Sequence, residues 1–283
     1  MKKIHYQNVG FPRTGTTWLW ENLTNHPEVF YGDSFIKKLK AKRIINEEKE
    51  NAWQGLFPDE LIRDHTQYTS LYADYDISLN FSPWGFKFSE RLIKKVSEYT
   101  THASFTLRNP YEVINSYHNM HHHAVQLPPL EVKLPNGSLH TPTYLEGRGF
   151  IIQALNFNQY KLTHPNANPN NTHDLIHFYI DDFNFYGSII NWKTVFPNSF
   201  EVFVYDDLKD QPSIYYSNVC KFLGLTPNDI TESVINSTKT MSEKNNAKIF
   251  EGFSFEQDHK DRINKVIDQL SDFLGRDLSH WKR

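Results

Sequence analysis

One stretch near the N-terminus, Gly10–Leu19 (GFPRTGTTWL), constrains the fold more than any other part of the chain. A short apolar run ends at Val9 before it, and a helical pattern begins at Thr16 within it. This order predicts a strand, a tight glycine turn and a helix N-terminus. Backbone N–H groups without an intrahelical partner, together with the positive end of the helix dipole, bind oxyanions such as phosphate. The stretch therefore predicts an anion-binding loop.

The spacing of this loop resembles that of the nucleoside-triphosphate P-loop, G-x-x-x-x-G-K-[ST]. Gly10 and Gly15 are in register with its glycines, but Thr16 stands where that motif has its lysine. The lysine reaches the terminal phosphates of a triphosphate, so its absence argues for a ligand without them. Arg13 supplies a cation earlier in the loop, where a guanidinium can reach the oxygens of a bound group.

A second polar stretch follows a buried strand predicted over His102–Leu107, which ends next to Arg108. Asn109-Pro110 is a strong helix start, because Asn caps free N–H groups and Pro suits the first helical position. Ser116 lies two turns below Asn109 on that helix, on the side where Arg108 emerges. The sequence therefore places a cation and a hydroxyl near one another.

Strand patterns alternate with helical patterns along the chain, which predicts an α/β fold. The expected fold has a mainly parallel central sheet, helices on both faces and a P-loop-like nucleotide-binding architecture. We expect one domain over residues 1–283, with loop insertions near 125–143 and 164–172. The first insertion is predicted to be a loop or a small hairpin. The next helix after the second loop is predicted over Phe183–Phe196, and the last one ends at Gly275.

Composition excludes several classes of function. The formal net charge is −3 and no long basic block occurs, so nucleic acid is not an expected partner. Cys220 is the one cysteine, which excludes an internal disulfide and a cysteine metal framework and favours a reducing, cytoplasmic location. No apolar run is long enough to span a bilayer, so no membrane association is expected.

The two polar stretches together resemble the sulfotransferases that use 3′-phosphoadenosine 5′-phosphosulfate. Pro12-Arg13-Thr14-Gly15-Thr16-Thr17 resembles their phosphosulfate-binding loop, and Arg108-Asn109-Pro110 with Ser116 and Tyr117 resembles their element for the 3′-phosphate. Further similar residues, such as Trp192, Phe196-Pro197 and Tyr205-Asp206-Asp207-Leu208, have the character of framework.

The resemblance implies a donor, a product and a set of binding residues. The donor is 3′-phosphoadenosine 5′-phosphosulfate, the product is adenosine 3′,5′-bisphosphate, and no metal is expected. The implied binding residues come from the two stretches: Arg13, Thr14, Gly15, Thr16, Thr17, Trp18, Arg108 and Ser116. Arg13 is also expected to stabilise charge on the leaving phosphate.

A general base is expected opposite the donor loop, and two candidates stand open. Some relatives have a Gly-Glu-Glu pattern after the second strand, where this chain has Gly32-Asp33-Ser34. Asp33 is therefore the first candidate. Other relatives use a histidine, which makes His118 the second. His118 and His122 are one helical turn apart, a spacing that also suits a metal, but neither an acidic zinc-protease motif nor a cysteine accompanies them.

The acceptor of the transferred group is not encoded in any motif. A small molecule, a glycan or a peptide with a hydroxyl or amine would serve, and the loops between Val125 and Thr172 are where we expect the choice to be made. Two other functions stand open. One is a P-loop kinase for a small molecule, which would need ATP and magnesium. The other is a non-catalytic nucleotide-binding protein of the same fold, because Ser34 replaces an acidic residue.

Overall fold

The computed structural model describes eleven segments of the chain. The described residues are 4–11, 14–24, 26–29, 77–81, 85–98, 100–125, 132–133, 139–140, 160–168, 171–228 and 254–283. Their strands are β1 Ile4–Asn8, β2 Ile77–Phe81, β3 His102–Leu107, β4 Val132–Lys133, β5 Leu139–His140 and β6 Phe200–Val204. Their α-helices are α1 Thr16–Thr24, α2 Glu90–Ser97, α3 Pro110–Val125, α4 Thr172–Phe183, α5 Phe185–Val195, α6 Tyr205–Asp210, α7 Pro212–Phe222 and α8 Gln257–Leu274. Two 3₁₀ turns span Gly85–Lys87 and Ser279–Trp281.

The chain divides into two compact units. Unit 1 consists of Met1–Arg108 and Gly187–Lys248, and unit 2 consists of Asn109–Tyr186 and Ile249–Arg283. The division falls between Arg108 and Asn109, directly after β3. The expectation of one domain over residues 1–283 stays a prediction.

Unit 1 contains a sheet whose described strands are all parallel, in the order β2-β1-β3-β6. In this register Ile4 lies opposite Ile77, and Ala103 lies opposite Phe200. Parallel strands need crossover connections, and the alternation of strand and helical patterns in the sequence predicts such connections. The predicted α/β fold with a mainly parallel sheet is confirmed.

One hydrophobic core of unit 1 lies between the sheet and helices α1 and α7. Trp18 contributes its indole, which meets the rings of Tyr215 and Tyr216 edge-on at centroid distances of 6.0 and 6.4 Å. The other buried members are Tyr6, Leu19, Leu23, Val29, Phe203, Leu208, Val219, Cys220, Leu223 and Leu225. This core fixes α1, and hence its N-terminus, against the sheet.

The opposite face of the same sheet is covered as well. Phe105 of β3 points to this side, where its ring lies 5.1 Å from that of Phe11. Helix α5 brings Trp192, which stacks on Phe196 at 5.6 Å and donates its indole N–H to the carbonyl of Gly85 at 2.9 Å. Helices therefore pack on both faces, as the sequence predicted, and Trp192 and Phe196 serve as framework.

The described residues of unit 2 form helices and a short antiparallel hairpin. The hairpin pairs Val132 with His140, within the segment predicted as a loop or small hairpin. Tyr117 of α3 meets Tyr179 and Phe183 of α4 edge-on at 5.5 and 5.0 Å. Aromatic packing of this kind ties α3 to α4.

Helix α4 was not predicted. The sequence placed the next helix after the second loop at Phe183–Phe196, whereas α4 already runs over Thr172–Phe183. It is capped at both ends, because the Asn171 side chain accepts the N–H of His173 and Asn184 ends the helix in the left-handed conformation.

Among the described residues, no helix combines the length and apolar character required to cross a bilayer.

Candidate functional site

Three neighbouring strands of unit 1 end at the same edge of the sheet. The glycine loop follows β1, Arg108 follows β3, and Tyr205 follows β6. The chain leaves β1 for β2 on one side of it and returns to β3 on the other. Ligands of open α/β sheets bind outside the carboxyl ends of the strands at such a reversal of order. This edge is therefore the candidate site.

The conformation of the loop depends on its two glycines. Gly15 has φ +85°, and a Cβ there would lie 2.7 Å from Leu208 Cδ2 and 3.0 Å from Tyr205 Cε2. A Cβ at Gly10 would lie 3.1 Å from both the N and the O of Thr106. Side chains at either position would push the loop away from β3 and α6. The close approach of the loop to its neighbours is therefore the reason for the glycine spacing seen in the sequence.

The groups that the loop offers to a ligand are backbone N–H groups. The first bond into α1 runs from Leu19 N–H to the Gly15 carbonyl at 3.1 Å. The N–H groups of Thr16, Thr17 and Trp18 precede that bond, so they have no acceptor within the helix. The N-terminus of α1 thus carries the partial positive charge that the sequence predicted for an anion site.

Two predicted binding residues use their side chains elsewhere. The hydroxyl of Thr14 is buried and donates to the carbonyl of Phe11 at 2.7 Å, which closes the loop on itself. The indole of Trp18 is buried in the core of unit 1. At both positions the backbone N–H is consequently the group that can face a ligand.

Arg108 and the glycine loop both lie next to the aromatic ring of Tyr205. The guanidinium carbon of Arg108 lies 4.7 Å from the ring centroid of Tyr205, the same ring that borders Gly15. An aromatic ring attracts a cation at this distance, so Tyr205 helps to position the guanidinium of Arg108. The sequence analysis assigned Tyr205 only to the framework, although its position directly after β6 places it where the strands end at the candidate site.

A buried polar network lies below the loop, between the sheet and α7. The Tyr6 hydroxyl pairs with Ser104 Oγ at 2.5 Å, and Asn8 Nδ2 donates to Ser104 Oγ at 3.0 Å and to Thr106 Oγ1 at 3.3 Å. Burial raises the pKa of Tyr6 to about 12, so its phenol stays protonated. The network therefore holds β1 to β3 through neutral hydrogen bonds.

The remaining predicted site residues fall into two groups. Asn109 caps α3 as predicted, because its Oδ1 accepts the N–H of Tyr111 at 3.0 Å, and Ser116 lies half-buried on the same helix in unit 2. Several predictions lie outside the described residues, namely those for Arg13, Asp33 and the side chains of Thr17 and His118.

Unit 2 holds a second group of polar side chains that the sequence did not predict. His173, His177, Asp258 and His259 each offer one ligand atom, and these atoms lie within 4.8 Å of one another. Burial first, and the neighbouring His177 ring second, lower the pKa of His259. The sequence signal was the spacing of His173 and His177, one helical turn apart, but α4 itself had been missed. We call these four residues the histidine cluster.

Comparison with solved structures identifies the fold. The crystal structure of a sulfotransferase from Alicyclobacillus acidocaldarius aligns over 100% of both chains with a TM-score of 0.58 and 14% identity. A sulfotransferase domain from the curacin biosynthetic pathway aligns over 96% of this chain and 98% of its own (TM-score 0.47, 13% identity). One from the Synechococcus PCC 7002 olefin synthase aligns over 94% and 96% (TM-score 0.46, 14% identity). No protein-family model and no curated protein matches the sequence. The fold is that of the Alicyclobacillus sulfotransferase.

Proposed function

We propose that this protein is a sulfotransferase that moves a sulfuryl group from 3′-phosphoadenosine 5′-phosphosulfate to a hydroxyl or amine. The observation that carries the proposal is the edge of the sheet in unit 1, where a lysine-free glycine loop and Arg108 border the same ring of Tyr205. The Alicyclobacillus sulfotransferase has the same fold, which supports this choice among the functions of P-loop-like proteins.

The residues at this edge fit a phosphosulfate better than a triphosphate. A Cβ at Gly10 would have tight contacts with Thr14 and Thr106, and one at Gly15 would lie 2.7 Å from Leu208 Cδ2, so the loop lies close to its neighbours at both glycines. Thr16 cannot reach terminal phosphates as a P-loop lysine does. Backbone donors and one guanidinium are sufficient for a 5′-phosphate that bears a sulfuryl group.

Arg108 and Ser116 are proposed to bind the 3′-phosphate that distinguishes this donor from simple adenylates. Arg108 follows β3 at the candidate edge, and its guanidinium is oriented by the ring of Tyr205. It would supply a charge-assisted hydrogen bond, and Ser116 would supply a hydroxyl from α3. This assignment rests on the resemblance of the R-N-P stretch together with the position of Arg108.

The proposed chemistry is an in-line displacement in which the chain positions groups and stabilises charge. When bound, the donor supplies the sulfuryl group and the adenosine bisphosphate leaving group. Arg13 and the N–H groups at the start of α1 would stabilise negative charge on the leaving 5′-phosphate. Asp33, or His118 as the second candidate, would accept the proton that the acceptor hydroxyl or amine loses. The acceptor oxygen or nitrogen gains the bond to sulfur that the phosphate oxygen gives up.

The acceptor class remains part of the proposal. A small molecule, a glycan or a peptide would satisfy the chemistry, and the loops near 125–143 and 164–172 are proposed to select it. Action in the cytoplasm is proposed on the same footing, because the donor is a nucleotide and the chain has a single cysteine.

The proposal is tested by transfer of radiolabelled sulfate from the donor to a panel of phenols, sugars and peptides. We expect Arg13→Ala to lower kcat at saturating donor at least 100-fold, as loss of one oxyanion-stabilising donor does, and to change Tm by less than about 2 °C. Arg91→Ala, which removes an exposed arginine of α2, is the control and should keep full activity.

An unchanged kcat for Arg13→Ala would contradict the proposed role of Arg13. Consumption of ATP with magnesium by the wild-type chain in place of the sulfate donor would contradict the proposed function, because the chain would then be a kinase.

A further inference from the structure

The histidine cluster in unit 2 has the geometry of a metal site. Asp258 Oδ2 lies 2.9 Å from His177 Nε2 and 3.2 Å from His173 Nε2. A tetrahedral zinc ion with bonds of about 2.0–2.1 Å has ligand atoms separated by about 3.3 Å. These two separations lie close to the one that a single zinc ion requires, and the ligand atoms of the cluster all lie within 4.8 Å of one another.

Regular secondary structure places these three ligand atoms. His173 and His177 are one turn apart on α4, so their rings project from one face of that helix. Asp258 lies in the first turn of α8. Helices hold ligands more rigidly than loops do, and two imidazoles one turn apart are a recurrent zinc-binding arrangement.

We propose that His173, His177 and Asp258 bind a zinc ion, with water in the fourth position. Two imidazoles and one carboxylate favour zinc or a similar transition metal over calcium or magnesium, which take oxygen ligands. The side chain of Asp258 is 50% exposed and that of His173 is 35% exposed, so both the ion and the water have access from solvent. The ion would take the place of the Nε2 proton of His177, which is hydrogen-bonded to Asp258.

His259 has a positioning role in this arrangement and is not a ligand. Its Nδ1 accepts the backbone N–H of Glu256 at 3.2 Å, and its Nε2 bonds to the carbonyl of His173 at 3.2 Å. Both ring nitrogens are thus committed to the backbone, and the ring is completely buried. His259 thereby fixes the backbone of His173 against the start of α8.

Charged side chains near the cluster act on a bound cation in opposite directions. Glu256 lies 3.7 Å from His173 Nε2 and adds negative charge that favours a cation. Arg262 donates to His177 Nδ1 at 2.7 Å and also pairs with Asp181. An ion on His177 Nε2 leaves the ring proton on Nδ1, where it faces the guanidinium of Arg262 donor to donor. Zinc must therefore displace Arg262, which keeps Asp181 as its partner.

This competition gives the proposal a distinctive signature. Removing a ligand should weaken zinc binding, whereas removing Arg262 should strengthen it. Arg262→Gln supplies an amide oxygen that can accept the Nδ1 proton, as the outer partners of zinc-bound histidines do. The bound ion would tie the first turn of α4 to the first turn of α8. It would do so independently of the proposed sulfate transfer, which concerns the sheet edge of unit 1.

The test uses the full chain without an affinity tag and zinc chloride as the probe. After dialysis against micromolar zinc, elemental analysis should find one zinc per chain, and zinc should raise Tm by about 5 °C. By calorimetry, His173→Gln and Asp258→Asn should each weaken the affinity at least 100-fold, and Arg262→Gln should strengthen it about tenfold. His164→Gln, an exposed histidine outside the cluster, should leave the affinity unchanged.

A wild-type chain that retains no zinc and shows no change in Tm would overturn the proposal, whatever the variants do. It would also be overturned if Arg262→Gln weakened binding as much as His173→Gln, because the competition would then be absent. Loss of zinc in a His118→Gln/His122→Gln double variant, with His173→Gln unaffected, would move the metal to α3 and contradict it as well.

Discussion

The sheet edge of unit 1 and the histidine cluster of unit 2 are both polar sites, but different parts of the chain build them. At the sheet edge, backbone N–H groups are presented by a loop whose shape depends on Gly10 and Gly15. In the cluster, side chains meet although His177 and Asp258 are 81 residues apart in sequence. A backbone-built site tolerates few substitutions at its glycines, whereas a side-chain-built site depends on how two helices pack.

The largest expected difference is in stability, between the alanine variants of two glycines that both have positive φ. Gly15→Ala places a Cβ against Leu208 and Tyr205, whereas a Cβ at Gly275, with φ +60°, meets nothing within 4 Å. We expect Gly15→Ala to lower the free energy of unfolding by roughly 3 kcal/mol and Gly275→Ala by about 1 kcal/mol. Urea denaturation of both variants measures the difference. Equal losses would show that the loop does not depend on close contact at Gly15.

The next effect concerns the ring that joins the loop to Arg108. Tyr205→Ala removes the surface on which the guanidinium stacks, whereas Tyr205→Phe keeps it. We expect the alanine variant to bind adenosine 3′,5′-bisphosphate about tenfold more weakly and the phenylalanine variant to bind it normally. Calorimetry measures both affinities. If Tyr205→Phe lost as much affinity as Tyr205→Ala, the hydroxyl would be the contributing group instead of the ring.

The smallest effect compares one helix cap in each unit. Asn171 accepts the N–H of His173 at 2.9 Å at the start of α4, whereas Ser89 accepts the N–H of Leu92 at 3.4 Å at the start of α2. We expect Asn171→Ala to lower the free energy of unfolding by about 1 kcal/mol and Ser89→Ala by less than about 0.5 kcal/mol. Thermal or urea unfolding distinguishes the two. A larger loss for Ser89→Ala would mean that the first turn of α4, which carries His173, is held by other contacts.

Features that are local in the sequence were predicted well. The glycine loop, the strand that ends before Arg108 and the Asn109 cap each depend on residues within a few positions of one another. The structure has the helix that begins at Thr16, the strand and the cap. The parallel sheet followed from the alternation of strands and helices. The loop spacing did not show in which direction the side chains point, and those of Thr14 and Trp18 point into the protein.

Features that arise from packing were missed. Helix α4 buries side chains around much of its circumference, namely Leu175, Ile176, Phe178, Tyr179, Ile180 and Phe183. An apolar stripe that broad blurs the 3.6-residue period that marks a surface helix. The histidine cluster exists only once α4 packs near the start of α8, so no single stretch of sequence contains it. Tyr205 was recognised as framework, but its contact with Arg108 required the neighbouring strand ends to be placed.

The most direct test of the proposed donor site is calorimetry of the full chain with three nucleotides. Adenosine 3′,5′-bisphosphate should bind at least tenfold more tightly than adenosine 5′-monophosphate or ATP with magnesium, because only the first carries the 3′-phosphate proposed to meet Arg108. Arg108→Ala should remove that preference while the monophosphate still binds. Equal affinity for the bisphosphate and the monophosphate, or tighter binding of ATP, would contradict the assignment of this edge to a sulfate donor.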